Sequence, residues 1–427
     1  MRKKRPPDPE RSKQIRAERA LAKERLESDV VEHPVPAERT CCPTCKGTAD
    51  RALDDQVSIE YDDVPERFRK RVHRRKTLAC ACGEYVVTAP APARVGDKTA
   101  YGAGFVAHVV VSKCADVIPL YRMEKHYGRL GIPIARSTRC DLFHRAAREL
   151  APLAARVLER VAARELVWAD ETPHRMQGAK GKKVYVWTFL DDRFVAYVFS
   201  ESRSGDTPKK VLGASTGRLV VDAYTGYNPV LTPERRQRAG GLAHVRRTFF
   251  DALPTAPEAR RAIDLLHDVY VVEHDAREAG ALGTEAHLAM RRERSRPLTN
   301  DLRAYLEEER PKHLPKGPMG KAIAYALDNW EALTAFLDDA SLPLDNNHSE
   351  AALRIVALGR ANYLFVGHKK AGENLCALLT LVRSAERCGV NPLAYLTDVL
   401  VRVQTHPASD LDALLPDRWR PARAAPS

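Results

Sequence analysis

Two aspartates and a glutamate stand where an acid has little structural use. Asp170, in WADETP, follows the apolar run 166–169, and Asp222, in VVDAYTGYN, follows RLVV at 218–221. If those runs are neighbouring parallel strands, both carboxylates leave the same sheet edge side by side. Two uncompensated carboxylates that close repel each other, and a divalent cation relieves the repulsion. An all-oxygen ligand set with open positions suits Mg²⁺ or Mn²⁺. The structural alternative for each is a turn-forming or helix-capping aspartate. Glu350, in LDNNHSEAALR, is the third candidate. Asn347 as a helix cap with Glu350 three residues on is also a capping box, which needs no metal, and Asp345 is a rival ligand. Glu171 adjoins Asp170, but successive strand residues face opposite sides, so it is expected to point away.

Thiols form the second cluster. Of nine cysteines, Cys42 and Cys45 (CPTC) make one close pair and Cys80 and Cys82 (CAC) another, with 34 residues between the pairs. Two cysteine knuckles around a β-rich insert can bring four thiolates into a tetrahedron, so Cys42, Cys45, Cys80 and Cys82 are expected to bind one structural Zn²⁺. The one-residue gap in the second pair is tighter than the usual two, and Cys41 is the substitute ligand. A closed four-thiolate site has no open position, so it would hold a fold together and catalyse nothing. Cys114, Cys140, Cys376 and Cys388 are scattered among apolar neighbours and read as core thiols. A disulfide framework is not expected.

The elements that must position these groups follow from the hydrophobic period. Residues 1–40 read as a basic arm and linker, 41–90 as a zinc-ribbon-like module, and 91–164 as helical. One helix should end near Leu130 with Gly131 as its stop, and Ser137 should cap the next. Helix, short turn, helix is compatible with a helix-turn-helix, although two packed helices without a DNA role fit equally well. Strands are expected at 166–170, 184–190, 194–199 and 218–222, with a helix opening at Asp206 or Thr207 before the last. Three strands able to meander, a helix, and a strand returning beside the first is the order of a ribonuclease-H-like sheet. The fold class is therefore α/β, with core segments at 165–235 and 341–375 and a helical insertion at 236–340 between them. Asp222 and Glu350 lie 128 residues apart, which requires that insertion. A helical segment, 376–427, closes the chain.

The net charge of +13 is concentrated. Residues 1–25 carry a net +6 and residues 65–76 (PERFRKRVHRRK) another +6. Dense cationic segments suit a polyanion, because each neutralised phosphate releases counterions; a solvated tail and face are the alternative. Arg71, Arg74 and Arg75 in the second run, and Arg136 and Arg139 at the helix pair, are candidate DNA contacts. So are His244, Arg246 and Arg247, and the arginines 291, 292, 294 and 296. Trp168, Trp187 and Trp330 sit in apolar patterns and read as core. No run approaches the ~18 apolar residues of a membrane span, and no apolar stretch follows the basic N-terminus as in a secretory signal. A cytoplasmic, nucleoid-associated location is expected, without membrane partners.

Together WADETP, DAYTGYN, LAHVRRTFF at 242–250, RRERSRPL at 291–298, DNNHSEAALR and GRANYLFVG at 359–367 resemble the insertion-sequence-66 family of bacterial transposases. The cysteine module and GVNPLAYLTDVL at 389–400 fit the same pattern. The resemblance implies a DDE transposase whose catalytic acids are Asp170, Asp222 and Glu350, holding two Mg²⁺ ions. It implies DNA partners, both transposon ends and target, a homo-oligomer on DNA, and accessory proteins of the same element. Gly-Leu precedes Ala243-His244 where the family tends to have Cys-Trp, so no role transfers to that position. An inactive zinc-containing DNA-binding regulator and a nuclease that cuts without joining are the other readings.

Overall fold

The computed structural model describes residues 17–421 apart from 19, 22, 25, 27, 65, 66, 97, 98 and 179–182. It divides into two compact units, residues 1–156 with 377–427, and residues 157–376. The arm at 1–16 lies outside the described residues.

In the first unit, β1 (Ser28–His33), β2 (Arg51–Ala52), β3 (Gln56–Val64), β4 (Arg67–Arg75), β5 (Thr77–Ala79) and β6 (Val86–Thr88) make two small sheets, ordered β1-β4-β3 and β2-β5-β6. The basic run is therefore a strand: β4 pairs antiparallel with β3 and parallel with β1. Arg71 faces Glu60 at 3.1 Å and Asp62 at 3.6 Å, and Arg75 donates to the Ala89 carbonyl at 3.2 Å, whereas Arg74 is exposed. Two of the three candidate DNA contacts on β4 thus already have partners within the unit.

Helices α1 (Ala103–Cys114), α2 (Leu120–Arg129) and α3 (Arg136–Ala162) follow. Phe105 of α1 packs edge-on to Phe68 and Tyr127, with ring centroids 5.1 and 5.6 Å apart. Gly131 takes φ +75° just past α2, as its role as a stop requires. The next helix starts at Arg136 and not after a Ser137 cap, because the Glu124 carboxylate accepts the Arg136 N–H at 3.0 Å. Arg139 is fully buried, donates to the Ile134 carbonyl and lies over the Tyr127 ring. It packs the helix pair together, which corrects its reading as a DNA contact. Arg136 remains exposed.

The second unit is built on β7 (Leu166–Arg175), β8 (Lys183–Leu190), β9 (Val195–Ser200), α4 (Asp206–Leu212), β10 (Gly217–Val220) and β11 (Arg236–Ala239). The sheet order is β11-β10-β7-β8-β9, with β7, β8 and β9 antiparallel and β10 parallel to both β7 and β11. Meander, helix and return beside the first strand are as the sequence suggests. The fifth strand, RQRA, has no apolar alternation and was not legible. It is held instead by Arg236, which is 1% exposed and donates to the carbonyls of Ala162, Arg164, Glu165 and Arg218 and to Ser215 Oγ. Trp187, Phe189, Leu219 and Val220 are fully buried, each burial stabilising the sheet by about 1.5–3 kcal/mol.

Helices α5 (Leu242–Ala252), α6 (Ala259–Glu278), α7 (Glu285–Met290), α8 (Arg296–Glu309), α9 (Pro318–Asp328) and α10 (Trp330–Thr334) separate the sheet from α11 (Asn347–Tyr363). A π-helical turn, Arg291–Ser295, joins α7 to α8. Arg291 in it is 1% exposed, grips Glu273 with two hydrogen bonds of 2.7 Å, and donates to the carbonyls of Phe336, Asp339 and Leu342. It locks the helices and cannot meet a phosphate, correcting that expectation. Arg292, Arg294 and Arg296 pair with Glu285, Asp275 and Asp338. Helices α12 (Lys369–Arg387) and α13 (Pro392–Arg402) end the regular structure, α13 packing on α1. Among the described residues no helix is long and apolar enough to cross a membrane.

Candidate active site

The parallel pairing of β10 with β7 sets the register of the two aspartates. Leu219 faces Val167 and Val220 faces Trp168; Asp222 and Asp170 each lie two residues further on. Both therefore follow the last β10–β7 pair by the same count, Asp170 still on β7 and Asp222 just past the end of β10. β7 does not stop at Asp170, as the sequence suggests, but continues to Arg175 against β8. β10 ends at Val220, so Asp170 occupies the part of β7 from which its parallel neighbour has departed. Asp222 begins the departing loop, its Oδ1 accepting the Tyr224 N–H at 3.0 Å, while Arg238 donates to its carbonyl.

Glu350 reaches this edge on the first turn of α11. Asn346 Nδ2 donates to the Ala169 carbonyl at 2.9 Å, and both groups are buried. His348 stacks on Trp168 with centroids 5.2 Å apart, and Tyr197 donates to the Ala352 carbonyl at 2.8 Å. Three contacts thus fix the start of α11 beside Asp170. Asn346, not Asn347, is the cap residue, and no side chain caps the helix. Glu350 is accordingly not spent on a capping box: its Oε1 lies 3.4 Å from His244 Nε2. Asp345 is occupied locally, accepting the Asn347 N–H at 3.0 Å and its Nδ2 at 2.7 Å.

Burial pushes the Asp170 carboxyl up to about 7, and the nearby charges of Glu171, Asp222 and Glu350 add to the shift. The N–H of Glu171, donated to Asp170 Oδ1 at 2.7 Å, opposes it. A carboxylate made costly to ionise first by burial and further by neighbouring acids is one that a cation would stabilise, so the donor set fits a hard divalent ion. Glu171 is buried and turns to other partners: Arg203 Nε at 2.8 Å and the Tyr227 hydroxyl at 2.8 Å. Burial raises its pKa, and those two partners oppose the shift.

In the first unit, Cys42, Cys45, Cys80 and Cys82 bring their sulfurs within 4.8 Å of one another, the one such group of three or more ligand atoms among the described residues. The three carboxylates are set wider. Sγ separations are 3.8 Å for Cys42–Cys82 and 3.1 Å for Cys45–Cys80. The Cys45 N–H donated to Cys42 Sγ helps to lower that thiol to about 6. CAC closes as well as CPTC because the Gly83 N–H returns to the Cys80 carbonyl at 2.9 Å, with Gly83 at φ +78°. Cys41 is exposed and stands outside the group. Cys114 and Cys376 are buried. Neither Asn346 nor Arg238 is apparent from sequence, since each acts through a backbone carbonyl on a distant segment.

Residues 98–374 match the transposase IS66 family, a DDE transposase domain, and residues 380–416 match the IS66 C-terminal element. The uncharacterized protein y4jD of Sinorhizobium fredii is 35% identical over 92% of this chain and 80% of its own length. The uncharacterized proteins y4qI and y4hP of the same organism are 33% and 30% identical, over 97% and 90% of this chain and 79% and 74% of theirs. A DDE domain implies a ribonuclease-H-like fold, which agrees with the strand order described above. With a matched domain that contains Asp170, Asp222 and Glu350, the chain belongs to the IS66 family of transposases.

Proposed function

We propose that this protein cleaves the ends of its transposon and joins the freed 3′-hydroxyls to target DNA, with Asp170, Asp222 and Glu350 as the catalytic acids. What supports the reading is that both aspartates lie two residues past the last β10–β7 pair, together with the Asn346–Ala169 bond at the start of the Glu350 helix. Mg²⁺ or Mn²⁺ held by these carboxylates would supply Lewis-acid polarisation of the phosphodiester and a lowered pKa for the attacking hydroxyl. The chain's own residues supply positioning. Arg238 holds the Asp222 carbonyl, Asn346 holds the helix start, and Glu171 with Arg203 and Tyr227 steadies the strand beyond Asp170. His244 orients Glu350.

In the hydrolytic step a water oxygen bonds to phosphorus and the 3′-oxygen leaves with a proton. In the joining step that 3′-hydroxyl attacks a target phosphodiester and displaces another 3′-oxygen, so the number of phosphodiester bonds is conserved and no high-energy cofactor is needed. Catalysis rests on positioning and charge neutralisation. Arg246 and Arg247, exposed on α5, contact DNA phosphates, as do Arg74 and Arg136. The four thiolates hold a structural Zn²⁺.

The test is a supercoiled donor plasmid incubated with purified protein and Mg²⁺ or Mn²⁺. Cutting with joined products is expected. Asp170→Asn should lower cleavage by at least roughly 10²-fold while DNA binding and zinc content stay unchanged. Retained strand transfer in that variant refutes the assignment; cutting without joining, or no change in the wild-type reaction, favours the nuclease or the regulator.

A further inference from the structure

A cavity of about 490 Å³ opens beside the acid cluster, lined by Ala243, Arg246, Arg247 and Phe250 of α5, His267 and Tyr270 of α6, and Asp345 and Asn347 at the start of α11. The α5 residues recur at three- and four-residue spacing, so they form one face of that helix, opposite the buried face of Leu242, Val245, Phe249 and Ala252. The face they form is unusual. Phe250 is 60% exposed at the cavity wall, so most of its ring is open to a ligand. Arg246 and Arg247 are exposed, and among the described residues neither has an ion pair, whereas Arg291, Arg292, Arg294 and Arg296 each do. The cavity also shares two elements with the acids: His244, beside Ala243 on α5, meets Glu350, and Asn347 lies one helical turn before Glu350 on α11.

We infer that this cavity receives a single unpaired nucleotide of the DNA strand engaged by the acid cluster, its base stacked on Phe250 and its phosphate held by Arg246 and Arg247. Two guanidiniums with no ion pair among the described residues select a phosphate, and the exposed Phe250 ring, with Tyr270 lining the same cavity, selects a flat base. The volume is within the range of small-ligand sites and is far too large for an ion alone. A base inside a duplex has both faces covered by its neighbours, so only a base outside the stack can use the ring. Asn347 has its Oδ1 and second Nδ2 hydrogen to offer the edge of that base, and it is oriented by Asp345, which the Tyr270 hydroxyl holds at 3.5 Å. The inference deepens the proposed strand-transfer reading and rests on it for the identity of the polymer as DNA.

The experiment measures binding without chemistry, using the full-length protein in Ca²⁺ and two probes: a blunt DNA duplex, and the same duplex with a short unpaired overhang carrying 2-aminopurine. The overhang probe should bind tighter, with its fluorescence changed by stacking. Phe250→Ala should weaken overhang binding roughly 5- to 150-fold and leave the blunt duplex unaffected, while Phe250→Trp restores it. The double change of Arg246 and Arg247 to Gln should weaken both probes and flatten the salt dependence by about two ion-equivalents. Equal affinity for the two probes, or Phe250→Ala weakening both alike, overturns the pocket assignment even if the plasmid is still cut and joined. A persistent overhang preference in a protein that never cleaves leaves the pocket standing and removes the catalytic reading instead. Because Phe250 is largely exposed, its substitution should leave the thermal melt unchanged.

Discussion

Asp170 and Asp222 announce themselves in the sequence because each is an acid directly after a strand-forming apolar run, and parallel pairing then does the rest. Glu350 does not. Its spacing fits a capping box equally well, and only the bond between Asn346 and the Ala169 carbonyl, across 177 residues of chain, decides which edge its helix meets. A side chain bonded to a distant backbone leaves no periodic trace. The same holds for Arg139, whose place after a helix start suggests DNA and whose burial excludes it. A second buried titratable group gives a residue-scale prediction. His73, 4% exposed, is held down to about 4 from an ordinary 6.5, first by burial and then by the charges of His33, Arg71 and Arg94. The unfolded chain binds its proton more readily, so the stabilisation is complete above pH 6.5 and is lost as pH falls toward 4. At about 1.4 kcal/mol per unit the loss approaches 3 kcal/mol. Glu60, raised by burial, contributes a slope of opposite sign just above its ordinary 4.5. The His73 share is therefore read by urea titration as the difference between wild type and His73→Asn; identical pH slopes in the two proteins would contradict it.

At the scale of elements, the meander and the returning strand were legible as apolar runs bounded by turn residues, and the helices between residues 259 and 337 by apolar residues three and four apart. β11 was not, since RQRA is an edge strand held by the hydrogen bonds of Arg236 and not by apolar packing. Nor was the full length of β7: beyond Asp170 the sequence ETPHR carries charge and a proline, and tertiary pairing with β8 overrides both. The insertion supplies the sharpest stability test. Arg291 and Glu273 form a buried, bidentate pair, and three carbonyls complete the arginine's bonds. Removing one partner of such a pair strands the other charge and costs about 3–5 kcal/mol. Arg291→Ala should lower the denaturant midpoint accordingly. Arg294→Ala, which breaks only an exposed pair with Asp275, should cost less than about 1 kcal/mol. Equal effects would mean that Arg291 is not the lock of the insertion.

At the scale of the whole molecule, the two units divide the chemistry: the four clustered thiols belong to one and the three acids to the other. Metal exchange should show the same division. A zinc-selective chelator, or Cys80→Ser, should lower only the melting transition of the first unit. A structural zinc site is worth about 10 kcal/mol or more in small domains, so the loss should be large. Plasmid cleavage by the second unit's acids should then be affected through DNA binding and not through the chemical step, which single-turnover kinetics on prebound DNA would separate. The cysteine spacing made the thiol cluster readable in outline. What no composition reveals is that much of the basic strand β4 is already engaged with Glu60, Asp62 and Ala89. The most direct test of the proposed catalytic centre is the anomalous scattering of crystals soaked in Mn²⁺. The expected result is manganese density bounded by the carboxylates of Asp170, Asp222 and Glu350 and absent from Asp170→Asn crystals. Manganese bound elsewhere, or a Glu350 helix lying away from the two aspartates, would contradict it.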